Sequence, residues 1–325
     1  MKKILIMIVL LILVVTTGCQ QVDQQVDMQE SAVSEDSDNN SADENRLKVL
    51  ATTTIVGDVV AQVGGDAIDL EILLPVGADP HGFKPTPQDV AKMTDADVIF
   101  ANGLGFEEFL EPMIANSLSA DNVFELSDGI VVIEGEEHHD EHEGHAHDHG
   151  GIDPHAWFNP LNVVVWTNNV ADVLSEKDSA NSQIFVENAE AYVAELESLD
   201  LWISEQVAQV PNENRKLITD HEVFGYFAER YMFTQMGTLL PSYSTASEPT
   251  AKDIAEIEDI ITDFDVQAMF VGNMVNPDLA ERVAADTGAE IVFVYTGSLS
   301  ESSGEASTYL DYMKYNTKVI VDALK

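Results

Sequence analysis

Phe185-Val-Glu-Asn-Ala-Glu-Ala-Tyr-Val-Ala-Glu-Leu-Glu-Ser-Leu-Asp-Leu-Trp-Ile-Ser-Glu-Gln-Val-Ala-Gln-Val-Pro211 is the stretch around which the rest of the chain arranges itself. Phe185, Ala189, Tyr192, Leu196, Leu199, Ile203, Val207 and Val210 recur at spacings of three and four, which makes one face of a helix apolar throughout. The pattern extends from about Ala180 to Gln209, and Pro211 stops it. At 1.5 Å per residue such a helix is a rod of about 45 Å. A coiled-coil oligomer would carry the same stripe. The flanking sequence favours an internal brace, because each side of the rod holds its own alternating series of strands and helices.

The first series reads strand Lys48–Thr54, helix near Asp58–Val63, strand Ile68–Leu74, helix Asp89–Met93 behind the cap Thr86-Pro87, strand Val98–Phe100, helix Phe106–Ile114, a strand from Val123 and helix Val163–Leu174. The second reads strand Leu217–Thr219, helix Val223–Arg230, strand near Thr238–Leu240, helix Ala251–Thr262, strand Ala268–Val271, helix Pro277–Ala285, strand Ile291–Tyr295 and a last helix from about Thr308. Strand–helix alternation on both sides predicts an α/β protein. Two lobes with mainly parallel sheets, 47–178 and 212–325, are joined by a long rigid helix over 179–211.

The N-terminus predicts an address. Lys2-Lys3 precedes an apolar run from Ile4 to Val15, too short for a bilayer core of about 20 residues and typical of a secretory signal. It ends at Thr16-Thr-Gly-Cys19, and Cys19 is the single cysteine of the chain. Residues 1–18 therefore read as a lipoprotein signal peptide and Cys19 as the lipidated first residue of the mature chain, although Thr16 departs from the usual Leu. No intramolecular disulfide is possible. Residues 19–46 are acidic and polar with little to bury, as in a disordered tether. A formal charge of −43 repels nucleic acid and anionic lipid, so nucleic acid is excluded as a partner.

The chemistry lies in nine histidines. Six of them, His138, His139, His142, His145, His147 and His149, fall in the acidic segment 134–149. The other three stand alone in Asp79-Pro80-His81, Asp153-Pro154-His155 and Asp220-His221. Neutral imidazole is a common ligand for zinc and its neighbours. His81 follows the strand ending at Leu74-Pro75 and His221 directly follows Leu217–Thr219, both at carboxyl ends where open α/β sheets form ligand crevices. His81 and His155 belong to the first lobe and His221 to the second, so an ion shared by all three would lie in the cleft between lobes. Asp79, Asp153 and Asp220 are candidate carboxylates to orient the rings behind the ligands. His221-Glu222 begins like a metalloprotease helix, but position 225 is Gly, so that motif fails. No phosphate loop is present, so any ATPase is a separate chain.

Gly77-Ala-Asp-Pro-His-Gly-Phe-Lys-Pro-Thr-Pro-Gln-Asp89, Asp153-Pro-His-Ala-Trp-Phe-Asn-Pro160, Thr219-Asp-His-Glu-Val-Phe-Gly-Tyr-Phe227 and Tyr309-Leu-Asp-Tyr-Met-Lys-Tyr-Asn316 resemble, in order, the zinc and manganese solute-binding lipoproteins of bacterial ABC transporters. The resemblance spans nearly the whole mature chain. It implies two α/β lobes joined by one rigid helix, with metal between them and His81, His155 and His221 as ligands. The fourth ligand does not carry over. Relatives often use an Asp-Ser pair after the last strand, where this chain has Tyr295-Thr-Gly-Ser298 and so Gly297 in the place of the Asp. Other zinc relatives use a Glu before the first histidine, where this chain has Pro80. Three histidines plus water, or plus an unassigned carboxylate, are therefore expected.

Three imidazoles without a mapped carboxylate favour Zn²⁺ over Mn²⁺, since carboxylate oxygen suits manganese. The manganese relatives also tend to carry Glu where His221 stands. The histidine-rich segment is expected to be an accessory, low-affinity metal loop. The resulting expectation is a non-enzymatic, monomeric, lipid-anchored extracytoplasmic protein that captures Zn²⁺ for an ABC permease with its separate ATPase. Three rivals stay open: a Mn²⁺-specific member of the family, a three-histidine zinc hydrolase whose bound water is acidified towards neutrality, and a surface zinc store or adhesin with no transporter.

Overall fold

The computed structural model describes residues 46–116, 120–134 and 151–325. The signal and tether before residue 46, Cys19, and the six histidines between 138 and 149 lie outside the described residues.

Both strand series form as four-stranded, wholly parallel sheets. The first holds β1 (Leu47–Ala51), β2 (Ile68–Ile72), β3 (Val98–Ala101) and β4 (Val123–Glu125) in the order β2-β1-β3-β4, with α1 (Thr54–Gly64), α2 (Pro87–Asp95) and α3 (Leu110–Asn116) between them. Next come α4 (Pro160–Lys177) and α5 (Ser182–Val207). The second sheet holds β5 (Lys216–Thr219), β6 (Thr234–Thr238), β7 (Ala268–Gly272) and β8 (Glu290–Val294) in the order β6-β5-β7-β8, with α6 (Gly225–Tyr231), α7 (Ala251–Asp263), α8 (Asp278–Thr287) and α9 (Tyr309–Leu324).

Local chemistry explains where the elements differ from their sequence reading. α1 starts four residues before Asp58, because Thr53 stays extended and its side chain accepts the Val56 amide as an N-cap. α2 begins where the Thr86-Pro87 signature points, with a reciprocal capping box between Thr86 and Asp89. α4 begins at Pro160, earlier than Val163, since Asn159 caps the Leu161 amide and Pro fits the first turn. α5 has 26 residues and so spans about 39 Å rather than 45 Å. Gln209 and Val210 continue it only as turns before Pro211. β6 lies at Thr234–Thr238, upstream of its expected place, and Leu239 and Leu240 still donate to the carbonyls of Thr219 and Asp220.

Among the described residues, the buried apolar side chains form three clusters. One lies on the outer side of the first sheet (Leu50, Ile99, Met93), and one on the outer side of the second (Ile218, Met269, Ile257). The third runs through both lobes and contains Val56, Phe100, Trp166, Phe185, Leu196, Phe227, Phe270 and Tyr309. α5 supplies its stripe to this shared core and packs on α1, α4 and α9. Its buried Asp200 accepts both prongs of the Arg230 guanidinium at 2.9 and 2.6 Å, and the Tyr231 hydroxyl at 2.9 Å, which fixes the rod to α6. More ties cross between lobes. The Leu299 amide donates to Thr54 Oγ1 at 2.9 Å, the Tyr309 amide to Asp58 Oδ2 at 2.9 Å, and Tyr309 Oη to the Trp157 carbonyl at 2.7 Å. A continuous core with crosslinks of this kind resists a wide hinge motion.

Candidate metal centre

The lone histidines arrive from three loops at the carboxyl ends of the two sheets. In Asp79-Pro-His81 and Asp153-Pro-His155 the same turn forms. The aspartate Oδ1 accepts the histidine amide two residues on, at 3.1 and 2.9 Å. The intervening proline has no amide to compete for that oxygen. His221 directly follows β5, and Asp220 Oδ1 accepts the His221 amide at 2.8 Å. The second oxygen of Asp220 accepts the Gly272 amide from the end of β7 at 2.9 Å. β5 and β7 are the neighbours at which the strand order of the second sheet reverses direction, the place where α/β sheets open a crevice.

The three rings meet with centroids 5.3–5.7 Å apart, and one ligand nitrogen from each lies within 4.8 Å of the others. No other such group of His, Cys, Asp and Glu occurs among the described residues. His155 and His221 are buried, whereas His81 is partly open. His155 Nδ1 lies 2.8 Å from Asp153 Oδ1, and His221 Nδ1 lies 2.8 Å from Asp220 Oδ1. A carboxylate accepts only, so each Nδ1 carries the proton and each Nε2 offers its lone pair. His155 Nε2 stands 3.4 Å from His81 Nε2, a separation fit for two nitrogens turned to one cation.

Asp153 and Asp220 thus each hold an imidazole through its Nδ1. Asp79 does not share that geometry. Its hydrogen bonds go to the His81 amide and, at 2.5 Å, to Thr245 Oγ1 from the second lobe, so it ties the His81 loop across the cleft. The His81 ring is set instead by edge contacts to Phe106, centroid to centroid 5.1 Å at 85°, and to the other two imidazoles.

Electrostatics favour neutral imidazoles at His81 and His155. Burial first, and then the mutual repulsion of three neighbouring rings, push His81 well below the ordinary histidine value. His155 is held well below it by burial and by His221. Burial lifts Asp153 to about 7. Burial also acts to raise Asp220, but His221 and the amides of Gly272 and His221 outweigh it and leave that carboxyl below its ordinary value. His81 and His155 thus favour the neutral imidazole, and Asp153 and Asp220 stand behind two of the three rings, an arrangement suited to a divalent cation.

Several residues that shape the site carry no histidine signal. Phe106, Thr245, Met274 and Thr296 line the cavity with Pro80 and Gly297, and the cavity admits a water-sized sphere over only about 10 Å³. That is room for about one ion or water. Gly225, where the protease motif fails, is needed for another reason, because a Cβ there would run into the Asp153 carboxylate. Buried Glu107 bridges the ends of β1 and β3, accepting Thr52 Oγ1 and the amide of Asn102 at 2.7 Å each. Asn102 Nδ2 in turn holds the Pro154 carbonyl at 3.0 Å, which steadies the His155 loop. Only its place among the loop residues after β3 could have flagged Glu107 in the sequence.

Comparison with known proteins agrees with this geometry. Residues 49–323 match the family described as zinc-uptake complex component A, periplasmic (ZnuA). The manganese-binding lipoprotein MntA of Halalkalibacterium halodurans is 34% identical over 285 residues, covering 87% of this chain and 90% of the relative. The manganese ABC transporter substrate-binding lipoprotein PsaA of Streptococcus pneumoniae is 31% identical over 288 residues, covering 86% and 89%. Among solved structures, the manganese-bound periplasmic metal binding protein of Candidatus Liberibacter asiaticus superposes with a TM-score of 0.74 at 25% identity, over 86% of this chain and 100% of that one. The periplasmic zinc binding protein TroA of Treponema pallidum shares the fold, with a TM-score of 0.76 at 24% identity over 86% and 99%. Two parallel-sheet lobes, a three-histidine cluster between them and a match along almost the entire described chain lead to one assignment: the chain belongs to the ZnuA family, the metal-binding substrate-binding proteins of ABC transporters, and is a transporter component rather than an enzyme.

Proposed function

We propose that this protein captures Zn²⁺ outside the cytoplasm through His81, His155 and His221 and delivers it to an ABC permease driven by a separate ATPase chain. The observation that carries the reading is the donor set. Three buried or half-buried imidazoles turn Nε2 inward, and no carboxylate joins the cluster among the described residues. Two nitrogens on a tetrahedral zinc at 2.0–2.1 Å stand about 3.3 Å apart, close to the 3.4 Å between His81 and His155. Nitrogen donors suit zinc, whereas manganese favours oxygen.

Cys19 serves as the lipid anchor in this reading, in keeping with the lipoprotein names of the relatives. The protein works as a monomer. The histidine-rich segment collects zinc weakly and is dispensable for the tight site. Release follows small shifts of the loops and the second lobe, because the shared core and the crosslinks to α5 and α9 oppose a wide opening.

A second reading has its own support. MntA and PsaA are named for manganese, and both align over most of their length. Raw affinity does not separate the two, since zinc outbinds manganese at almost any nitrogen-rich site. Delivery does: cells lacking the protein are expected to fail under zinc limitation and to grow normally under manganese limitation. Failure under manganese limitation with normal growth under zinc limitation would put the second reading in its place.

A further inference from the structure

The fourth side of the cavity is the part of the site that the histidines do not explain. It is lined by Pro80, Met274, Thr296 and Gly297. Gly297 follows β8 and lies outside the left-handed backbone region, so its conformation alone does not require glycine. Space is the tighter constraint. A Cβ on Gly297 would lie 3.2 Å from Met274 Cε and 3.1 Å from Pro80 Cδ, so one of these neighbours would have to give by a few tenths of an ångström, and a longer side chain would have to displace more. Met274, in the turn after β7, is half-buried and reaches over Gly297 into the volume that a longer side chain at 297 would occupy.

We infer that Met274 and Gly297 act as one unit that determines metal specificity. This inference rests on the reading of the three histidines as the ligands of the captured ion. The methionine side chain fills the space beside Gly297 with methyl and thioether, and among the described residues no carboxylate joins the three imidazoles. Together with the small cavity, which has room for about one ion or water, this leaves an ion with three nitrogens and little space for a larger ligand shell. Zinc is content with four ligands, one of them water, whereas manganese is best served by a larger, oxygen-rich shell. Pro80 forms the other wall and is joined to the ligand His81, so pressure on that wall is transmitted to the site. Met274 is the flexible wall, and shortening it is the direct way to open the corner.

A double-substitution cycle tests the pair, using the metal-stripped full chain and chelator competition for zinc and manganese. Gly297→Asp alone is expected to change the zinc-to-manganese affinity ratio by less than about threefold, because its carboxylate has no room to reach the ion. Met274→Ala alone is expected to change it about as little, since it adds no donor. Met274→Ala with Gly297→Asp is expected to lower the ratio at least tenfold, by more than the product of the two single effects. Thermal melts confirm that each variant is folded, and Met274→Leu, which keeps the wall, should retain the wild-type ratio. An additive cycle, or Gly297→Asp alone achieving the full shift, overturns the inference. A wild-type preference for manganese, or binding that survives loss of the histidines, would count against the zinc reading instead.

Discussion

Replacing Asp220 with asparagine probes whether the carboxylates behind the histidines contribute to metal capture or merely fill space. Asp220 is 1% exposed and satisfies three donors: Nδ1 and the amide of His221, each at 2.8 Å from Oδ1, and the Gly272 amide at 2.9 Å from Oδ2. Asparagine preserves the shape but has one acceptor oxygen and an NH₂ in place of the other. At least one buried N–H then faces a donor, which costs about 1–3 kcal/mol. At 2–4 °C per kcal/mol for a chain of this size, the metal-free protein should melt roughly 2–12 °C lower. The imidazole also loses the negative charge that raises its basicity. Loss of such a partner costs about 10–100-fold in metal affinity, or about 1.4–2.7 kcal/mol. Chelator competition and melts of metal-free and zinc-loaded protein measure the two effects separately. A folded Asp220→Asn variant that binds zinc within about twofold of wild type would refute the reasoning.

Further outcomes follow from the same geometry. Zinc affinity should be steady at alkaline pH and begin to fall near pH 7, where Asp153 takes up a proton that metal binding must expel. It should steepen below the ordinary histidine value as His81 and His155, both shifted down, protonate in turn. Affinity that stays flat down to the acid limit of the folded protein would exclude imidazole ligation. Glu107 is raised to about 7 from 4.5 by burial, so it binds its proton more tightly folded than unfolded. Its contribution is present at low pH and is lost as pH rises through about 7, amounting to on the order of 3 kcal/mol. Metal-free Glu107→Gln should therefore lose less melting temperature than wild type between about pH 5.5 and about pH 8.5, and parallel pH profiles would contradict this. Replacing the segment between Glu134 and Ile152, which already pair as an antiparallel bridge, with a two-residue Asn-Gly turn removes the histidine-rich stretch. One tight zinc site should remain and only weak binding should vanish in a calorimetric titration. Saturating zinc at about a hundred times its dissociation constant should stabilise the wild type by about 2.7 kcal/mol, a rise in melting temperature of roughly 5–11 °C.

The architecture was legible because its signals are periodic. The stripe from Phe185 to Val207 is buried as spaced, and Thr86-Pro87 caps a helix where the residues say it should. Element edges were less legible, since they depend on caps and turns. Thr53 and Asn159 start their helices earlier than apolar spacing suggests. The three histidines could be chosen because they stand alone in repeated acidic contexts, and the structure brings their rings together. Their supports were legible in part. Asp153 and Asp220 hold rings, but Asp79 sits in the same motif as Asp153 and turns to Thr245, a partner distant in sequence. Met274, Phe106 and Glu107 were invisible for the same reason. Their roles come from approaches across the cleft or between strand ends, which no local pattern encodes.

The central claim, that three histidines from three loops hold one captured ion, is tested most directly by calorimetric titration of zinc into the metal-stripped chain and its His81→Ala, His155→Ala and His221→Ala variants. The account predicts one tight equivalent in the wild type and a loss of at least about a hundredfold in affinity in each folded variant. Tight binding at unchanged stoichiometry in any one of the three would contradict it.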